Sequence, residues 1–197
     1  MGKSTFTISA EANTDIWKKP PSRDDFNAPY QTHSKRPVSS FRAATLTFTA
    51  TYSQQYDQAG ILLLFRNPSS SSSSSAPAKW IKAGIEVLDG TPRLSTVGCD
   101  NWADWSVAPA PDPAAVLAGR RPITLRLEAR SSSLWVYHLG DGDRHPLREL
   151  CWPFGEPAAD GWELEVAAVV ARPAKEAPGR LEAIFADFDV EWEDGGE

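Results

Sequence analysis

Lys82 and Glu86 stand four residues apart in the run Trp80-Ile81-Lys82-Ala83-Gly84-Ile85-Glu86-Val87. Side chains alternate along a β-strand, so this even spacing puts an ammonium and a carboxylate on one face. Trp80 and Gly84 share that face, and Ile81, Ala83, Ile85 and Val87 make the other. The second set is ordinary core. The first joins a ring, two charges and a bare glycine, and glycine inside a strand often marks close approach of a ligand or another chain. A solvated Lys/Glu face is the plain alternative. A second run, Tyr56-Asp57-Gln58-Ala59-Gly60, puts Tyr56, Gln58 and Gly60 on a common face. If the two runs are neighbouring strands, Gln58, Lys82 and Glu86 line one concave pocket with Trp17, Trp80 or Trp105 as its wall. Polar groups that fix orientation beside aromatic surfaces are what a small-ligand cleft requires.

Glycoside hydrolysis asks for more. It needs two carboxylates, about 5–5.5 Å apart for retention or about 6.5–9.5 Å for inversion. Glu86 is the best candidate. Glu128, beside Arg126 on the polar face of the run Ile123 to Arg130, is the second, and both join the candidate ligand-binding set. Lys82 beside Glu86 is expected to lower the acid's pKa, which suits a nucleophile better than a general acid. His33, His138 and His145 are scattered without metal-ligand spacing. Asp141-Gly142-Asp143 reads as a hairpin turn before it reads as a calcium site. There is no Gly-rich phosphate loop and no Gly-x-Ser-x-Gly elbow. No metal and no cofactor are expected.

The elements that must position these residues are short strands. Phe41 to Tyr52 alternates cleanly, with Ala44, Leu46, Phe48, Ala50 and Tyr52 inward and Thr45, Thr47, Thr49 and Thr51 outward. Gln58 to Phe65 ends in a continuous apolar run, as a strand buried on both faces does. Further strands are expected at Phe6 to Ala10, Lys79 to Val87, Arg93 to Val97, Ile123 to Arg130, Leu134 to Leu139, Leu147 to Leu150, Trp162 to Ala171 and Leu181 to Trp192. In the last, Ile184, Ala186, Phe188, Val190 and Trp192 fall on one face. Pro20 to Pro37 reads as an ordered loop, Asp100 to Ser106 as an aromatic, acidic loop, and Pro109 to Gly119 as a connector with room for one helical turn. A serine-rich stretch at about 68–78 has nothing apolar to bury and is expected to be a disordered loop. Strands of this length with turn signals every ~8–12 residues suggest an all-β sandwich or jelly roll.

A chain of 197 residues suits one domain, 1–197. The net charge of -6 is spread along it and leaves no basic patch for nucleic acid or an anionic membrane surface. Eight tryptophans are many, and tryptophan serves binding surfaces as well as cores. The N-terminus lacks a signal-peptide run, and no stretch is long and apolar enough to span a bilayer. Cys99 and Cys151 do not read as a disulfide scaffold, although their pairing stays open. A cytoplasmic protein with free thiols is the simplest account.

Tyr56-Asp57-Gln58-Ala59-Gly60, Trp80 to Glu86, Leu94-Ser95-Thr96-Val97, Asp104-Trp105-Ser106 and Leu147-Arg148, with Asp15-x-Trp17 early and Phe185-x-Asp187-Phe188 late, carry a resemblance. Together they resemble an uncharacterised family with a concanavalin A-like lectin/glucanase jelly roll of two antiparallel sheets, which includes the fungal regulation of enolase protein. The resemblance implies the fold along nearly the whole chain. It points to a lectin-like domain that binds a carbohydrate or related polar small molecule, with a regulatory place in carbohydrate metabolism and a metabolic enzyme as partner. The alternatives are a glycosidase or sugar-modifying hydrolase using Glu86, and a protein-interaction module. The glucanase pattern of two Glu and an Asp at alternate positions of one strand is absent.

Overall fold

Two kinds of strand build the molecule. The computed structural model describes residues 5–68, 77, 79–159 and 161–193. Strand β1 is Phe6–Ala10, β2 Ile16–Lys19, β3 Arg23–Phe26, β4 Tyr30–Pro37 and β5 Phe41–Ala50. Strand β6 is Gln58–Arg66, β7 Lys79–Leu88, β8 Thr91–Cys99 and β9 Ala103–Pro109. After the short helix α1 (Pro113–Leu117) come β10 Ile123–Arg130, β11 Ser133–Gly140 and β12 Asp143–Leu150. Helix α2 (Glu156–Ala159), β13 Glu163–Ala171 and β14 Leu181–Trp192 complete the chain.

One six-stranded sheet runs β1-β14-β5-β10-β11-β12 and the other β4-β13-β6-β7-β8-β9, every neighbouring pair antiparallel. This is the jelly-roll sandwich that the alternation implies. Between the sheets, Leu46, Phe48, Leu125 and Leu127 of the first meet Ile61, Leu63, Ile81 and Ile85 of the second. The first sheet turns residues such as Thr45, Thr47, Thr124 and Arg126 outward, so its strands alternate. Strands β6, β7 and β13 are buried on both faces, because a second apolar cluster lies outside their sheet. There the hairpin β2–β3 lays Ile16, Trp17 and Phe26 over Leu62, Leu64, Trp80 and Val97. No helix among the described residues is long and apolar enough to cross a membrane.

Several sequence expectations are corrected here. The segment from Pro20 to Pro37 is not a loop but the return strand of the hairpin and the edge strand β4. Its polar character hid it: β4 buries no residue fully, and an edge strand needs no apolar alternation. The acidic loop around Trp105 is likewise the edge strand β9. In β14 the pairing register shifts between Ala186 and Asp189, where Asp187 has φ 51°. This bulge reverses the parity, so Leu181, Ala183 and Phe185 point into the core and Ile184 is exposed. The helical turn foreseen between Pro109 and Gly119 is α1. The disordered serine-rich loop expected at about 68–78 lies outside the described residues, apart from 68 and 77.

Candidate functional site

The hairpin's edge and the outer faces of β6, β7, β8 and β9 enclose the candidate site. Gln58 pairs with Glu86 across β6 and β7, Gly60 with Gly84, and Leu62 with Lys82. On the other side Gly84 pairs with Ser95. Lys82 donates to Gln58 Oε1 at 2.5 Å, and its Nζ lies 3.6 Å from Asp15 Oδ1. Gln58 in turn donates to Asp15 Oδ1 at 3.4 Å and to the Tyr56 carbonyl at 3.2 Å. The ammonium also sits 5.8 Å from the Trp17 ring centroid and 6.0 Å from that of Trp80, within cation–π range. A second chain of bonds starts at Trp105, whose indole Nε1 donates to Ser95 Oγ at 2.9 Å. The Ser95 hydroxyl then donates to Glu86 Oε2 at 2.8 Å.

Strand parity therefore brings Gln58, Lys82 and Glu86 together, but not on an open face. Their exposures are 6%, 5% and 5%. They line an internal slot of about 10 Å³ with Gly60, Gly84 and Ser95, room for about one water molecule. Above it opens a cleft of about 370 Å³ lined by Asp15, Trp17, Tyr56, Glu86 and Trp105, with Lys19, Arg23 and Lys175 at its rim. Glu86 is thus the one member of the expected trio that reaches the cleft; Gln58 and Lys82 lie beneath it. The aromatic wall is Trp17, Tyr56 and Trp105, in edge contact at 6.1 Å for Trp17–Trp105 and 6.3 Å for Tyr56–Trp105. Trp80 is no part of that wall. The hairpin covers it and it is 2% exposed among apolar neighbours.

Two further corrections concern charge. Burial pushes the Glu86 carboxyl above the ordinary carboxylate range; the Lys82 charge and the Ser95 hydroxyl pull it down without prevailing, and Asp15 adds to the rise. The expected lowering by Lys82 is outweighed because desolvation penalises the charged form more. Arg126 and Glu128, on β10, belong to the other sheet and face its outer side, so they do not converge with Glu86. Burial alone would raise Glu128, but hydrogen bonds from Arg130, Arg144 and Arg126 hold it down at about 2. It remains a carboxylate among arginines.

The second carboxylate that β10 does not supply is Asp15. Its backbone is pinned at the hairpin base, where Asp15 N donates to Asn27 Oδ1 at 2.7 Å and Asn27 N donates to Asp15 O at 3.1 Å. Its side chain accepts from Ile16 N at 2.8 Å and from Arg23 Nη2 at 3.2 Å. The sequence offered a signal, since Asp15-x-Trp17 is one of the motifs carrying the family resemblance. Ser95, in another of those motifs, was also missed as a site residue.

Two neighbouring devices hold the site still. Asp57 is fully buried and takes a bidentate pair from Arg172, at 3.0 Å from Nε and 2.9 Å from Nη2. It also accepts from Ser53 N and Gln54 N, fixing the turn in which Tyr56 adopts φ 65° before β6 begins. Tyr56 N donates to Val87 O at 2.8 Å, which ties that turn to β7. At the other end Arg148 of β12 donates to Asp104 Oδ2 at 2.5 Å and to Ser106 Oγ at 3.0 Å. This joins the two sheets on either side of Trp105 and leaves the indole aimed at Ser95. Cys99 is buried and Cys151 exposed, and both are free thiols.

The chain is 37% identical over 188 residues to an uncharacterized protein of Emericella nidulans, a match covering 94% of this chain and 86% of that one. It is 28% identical over 148 residues to Regulation of enolase protein 1 of Saccharomyces cerevisiae, covering 75% of this chain and 62% of the yeast protein. Among solved structures, a functionally unknown protein from Saccharomyces cerevisiae superposes with a TM-score of 0.68 at 22% identity, over 97% of this chain and 89% of that one. An alginate lyase from Pseudomonas aeruginosa superposes with a TM-score of 0.54 at 15% identity, over 79% and 66%. At these identities the structures establish the fold alone. The family described as Protein of unknown function (DUF1349) matches residues 2–192, and the chain belongs to it.

Proposed function

We propose that the cleft between the hairpin and β7–β9 binds a carbohydrate or a related polar small molecule. The observation that carries this reading is the meeting of Trp17, Tyr56 and Trp105 with Asp15 and Glu86 around one cavity of about 370 Å³. A sugar ring presents apolar C–H faces to aromatic rings and hydroxyls to carboxylates, and the cleft offers both partners. Glu86 is held by Ser95, and Asp15 by Gln58, Lys82 and Arg23, so both groups are oriented before a ligand arrives. The likeness in fold to an alginate lyase supports a saccharide, and the name of the yeast relative supports a regulatory place in carbohydrate metabolism, in the cytoplasm and with a metabolic enzyme as partner. The test is a thermal-shift screen of the full chain against mono- and oligosaccharides. A ligand of the folded state raises the melting temperature in wild type. The rise disappears in Trp105→Ala. An unchanged rise in that variant would contradict the reading.

A second reading is catalytic: a glycosidase or sugar-modifying hydrolase. It is favoured by two carboxylates, Asp15 and Glu86, bordering the same cleft, and by the raised pKa of Glu86, which suits a general acid. Release of reducing ends from an oligosaccharide by wild type and not by Glu86→Gln would establish it over binding alone.

A further inference from the structure

The cleft does not end at its aromatic wall. A groove of about 410 Å³ continues from it, and the two share Asp15, Arg23, Pro173 and Lys175. Three cations, Lys19, Arg23 and Lys175, border the aromatic half, in a chain whose net charge is -6. Lys19 and Lys175 are exposed, and neither has an ion-pair partner among the described residues. Arg23 is fixed by Asp25 at 2.5 Å and by Asp15 at 3.2 Å, through Nε and Nη2. Those bonds leave other guanidinium donors for a ligand. Lys19 and Arg23 stand directly opposite one another across the hairpin. Like charges at such a pair are destabilising. Asp15 and Asp25 offset the Arg23 charge but leave that of Lys19, and an anion bridging the pair would serve both.

Resting on the reading of the cleft given above, we infer that its ligand is an anionic sugar: a ring stacked on the Trp17–Trp105 wall, with a carboxylate or phosphate group between Lys19, Arg23 and Lys175. The floor carboxylates do not forbid this. Asp15 is matched by Lys82 and Arg23, and burial favours the neutral form of Glu86. The anion belongs at the rim, where the exposed ammonium groups of Lys19 and Lys175 lie.

The experiment is calorimetric titration of the full chain with glucose, glucuronate and glucose 6-phosphate, at low salt and at about 0.5 M NaCl, where screening shortens charge interactions to a few ångströms. The two lysines are exposed, so Lys19→Gln/Lys175→Gln leaves the fold intact, and its melting temperature serves as the check. In wild type at low salt at least one charged sugar binds about tenfold or more tighter than glucose, a gap of about 1.4 kcal/mol. The gap closes to within about threefold in the double variant and at high salt. Preference for glucuronate identifies a carboxylate, and preference for glucose 6-phosphate a phosphate. Equal affinity for glucose and both charged sugars overturns the anionic assignment and leaves the sugar cleft standing, as does a preference that survives in the double variant. Failure of all three to bind overturns both.

Discussion

Gly60 and Gly84 face one another across β6 and β7, and neither has room for a side chain. A Cβ on Gly84 would lie 2.0 Å from the Ala59 carbonyl oxygen, and one on Gly60 would lie 2.1 Å from that of Ala83. What comes close to Gly84 is therefore the neighbouring strand, not a ligand. The tight pairing draws Gln58, Lys82 and Glu86 into one slot.

Gly84→Ala is accordingly expected to destabilise the protein by about 2–4 kcal/mol, because the obstacle is backbone and cannot swing away. Gly155 makes the control. A Cβ there meets nothing nearer than the Trp152 carbonyl oxygen at 3.5 Å, an ordinary contact, so Gly155→Ala should stay within about 0.5 kcal/mol. Urea unfolding of both variants decides the matter, and equal midpoints would refute the steric account.

The raised pKa of Glu86 gives a pH signature. In the folded state the carboxyl holds its proton to higher pH than in the unfolded chain, whose value is near 4.5. Between those two values the folded state binds more protons, so stability falls as pH rises. The contribution is fully present below pH ~4.5 and is lost as pH climbs through the folded-state value. Glu86→Gln cannot deprotonate and keeps an acceptor for Ser95. Its stability relative to wild type should therefore improve as pH rises above about 4.5 and level off once pH passes the folded-state value. A relative stability that worsens over that range would mean that the Lys82 attraction outweighs burial.

The Asp57–Arg172 pair is structural. Asp57→Ala leaves a guanidinium 3% exposed without its carboxylate, and a loss of about 3–5 kcal/mol is expected. Adding Arg172→Met removes the stranded charge and should restore much of that loss. If the double variant is no better than the single one, the damage comes from the Ser53–Asp57 turn and not from the buried charge.

How much of this could be read from the chain follows from what strand parity can and cannot say. Even spacing places Lys82 with Glu86, and Gln58 with Gly60, as long as no bulge interrupts the strand. It does not say which sheet a strand joins. Arg126 and Glu128 share a polar face as expected, yet that face belongs to the other sheet. Nor does it see a covering element. Ile16, Trp17 and Phe26 bury Trp80, through contacts distant in sequence and carried by a hairpin whose second strand, Arg23-Asp24-Asp25-Phe26, has no apolar rhythm. The bulge at Asp187 defeats parity outright, since one extra residue exchanges the two faces of β14. Asp15 was legible only as part of a family motif, because its role depends on that same hairpin.

The central claim is that the Trp17–Tyr56–Trp105 cleft is where a sugar binds. It is tested most directly by following the tryptophan indole N–H resonances while a saccharide that raises the melting temperature is titrated into the labelled protein. Trp105, whose indole N–H is bonded to Ser95, and Trp17 should shift together along one binding curve. Trp135, stacked on Tyr137 in the opposite sheet, should stay in place. Movement of Trp135, or of Trp102 and Trp152 beside the separate cavity near Arg148, with Trp17 and Trp105 still, would contradict the account.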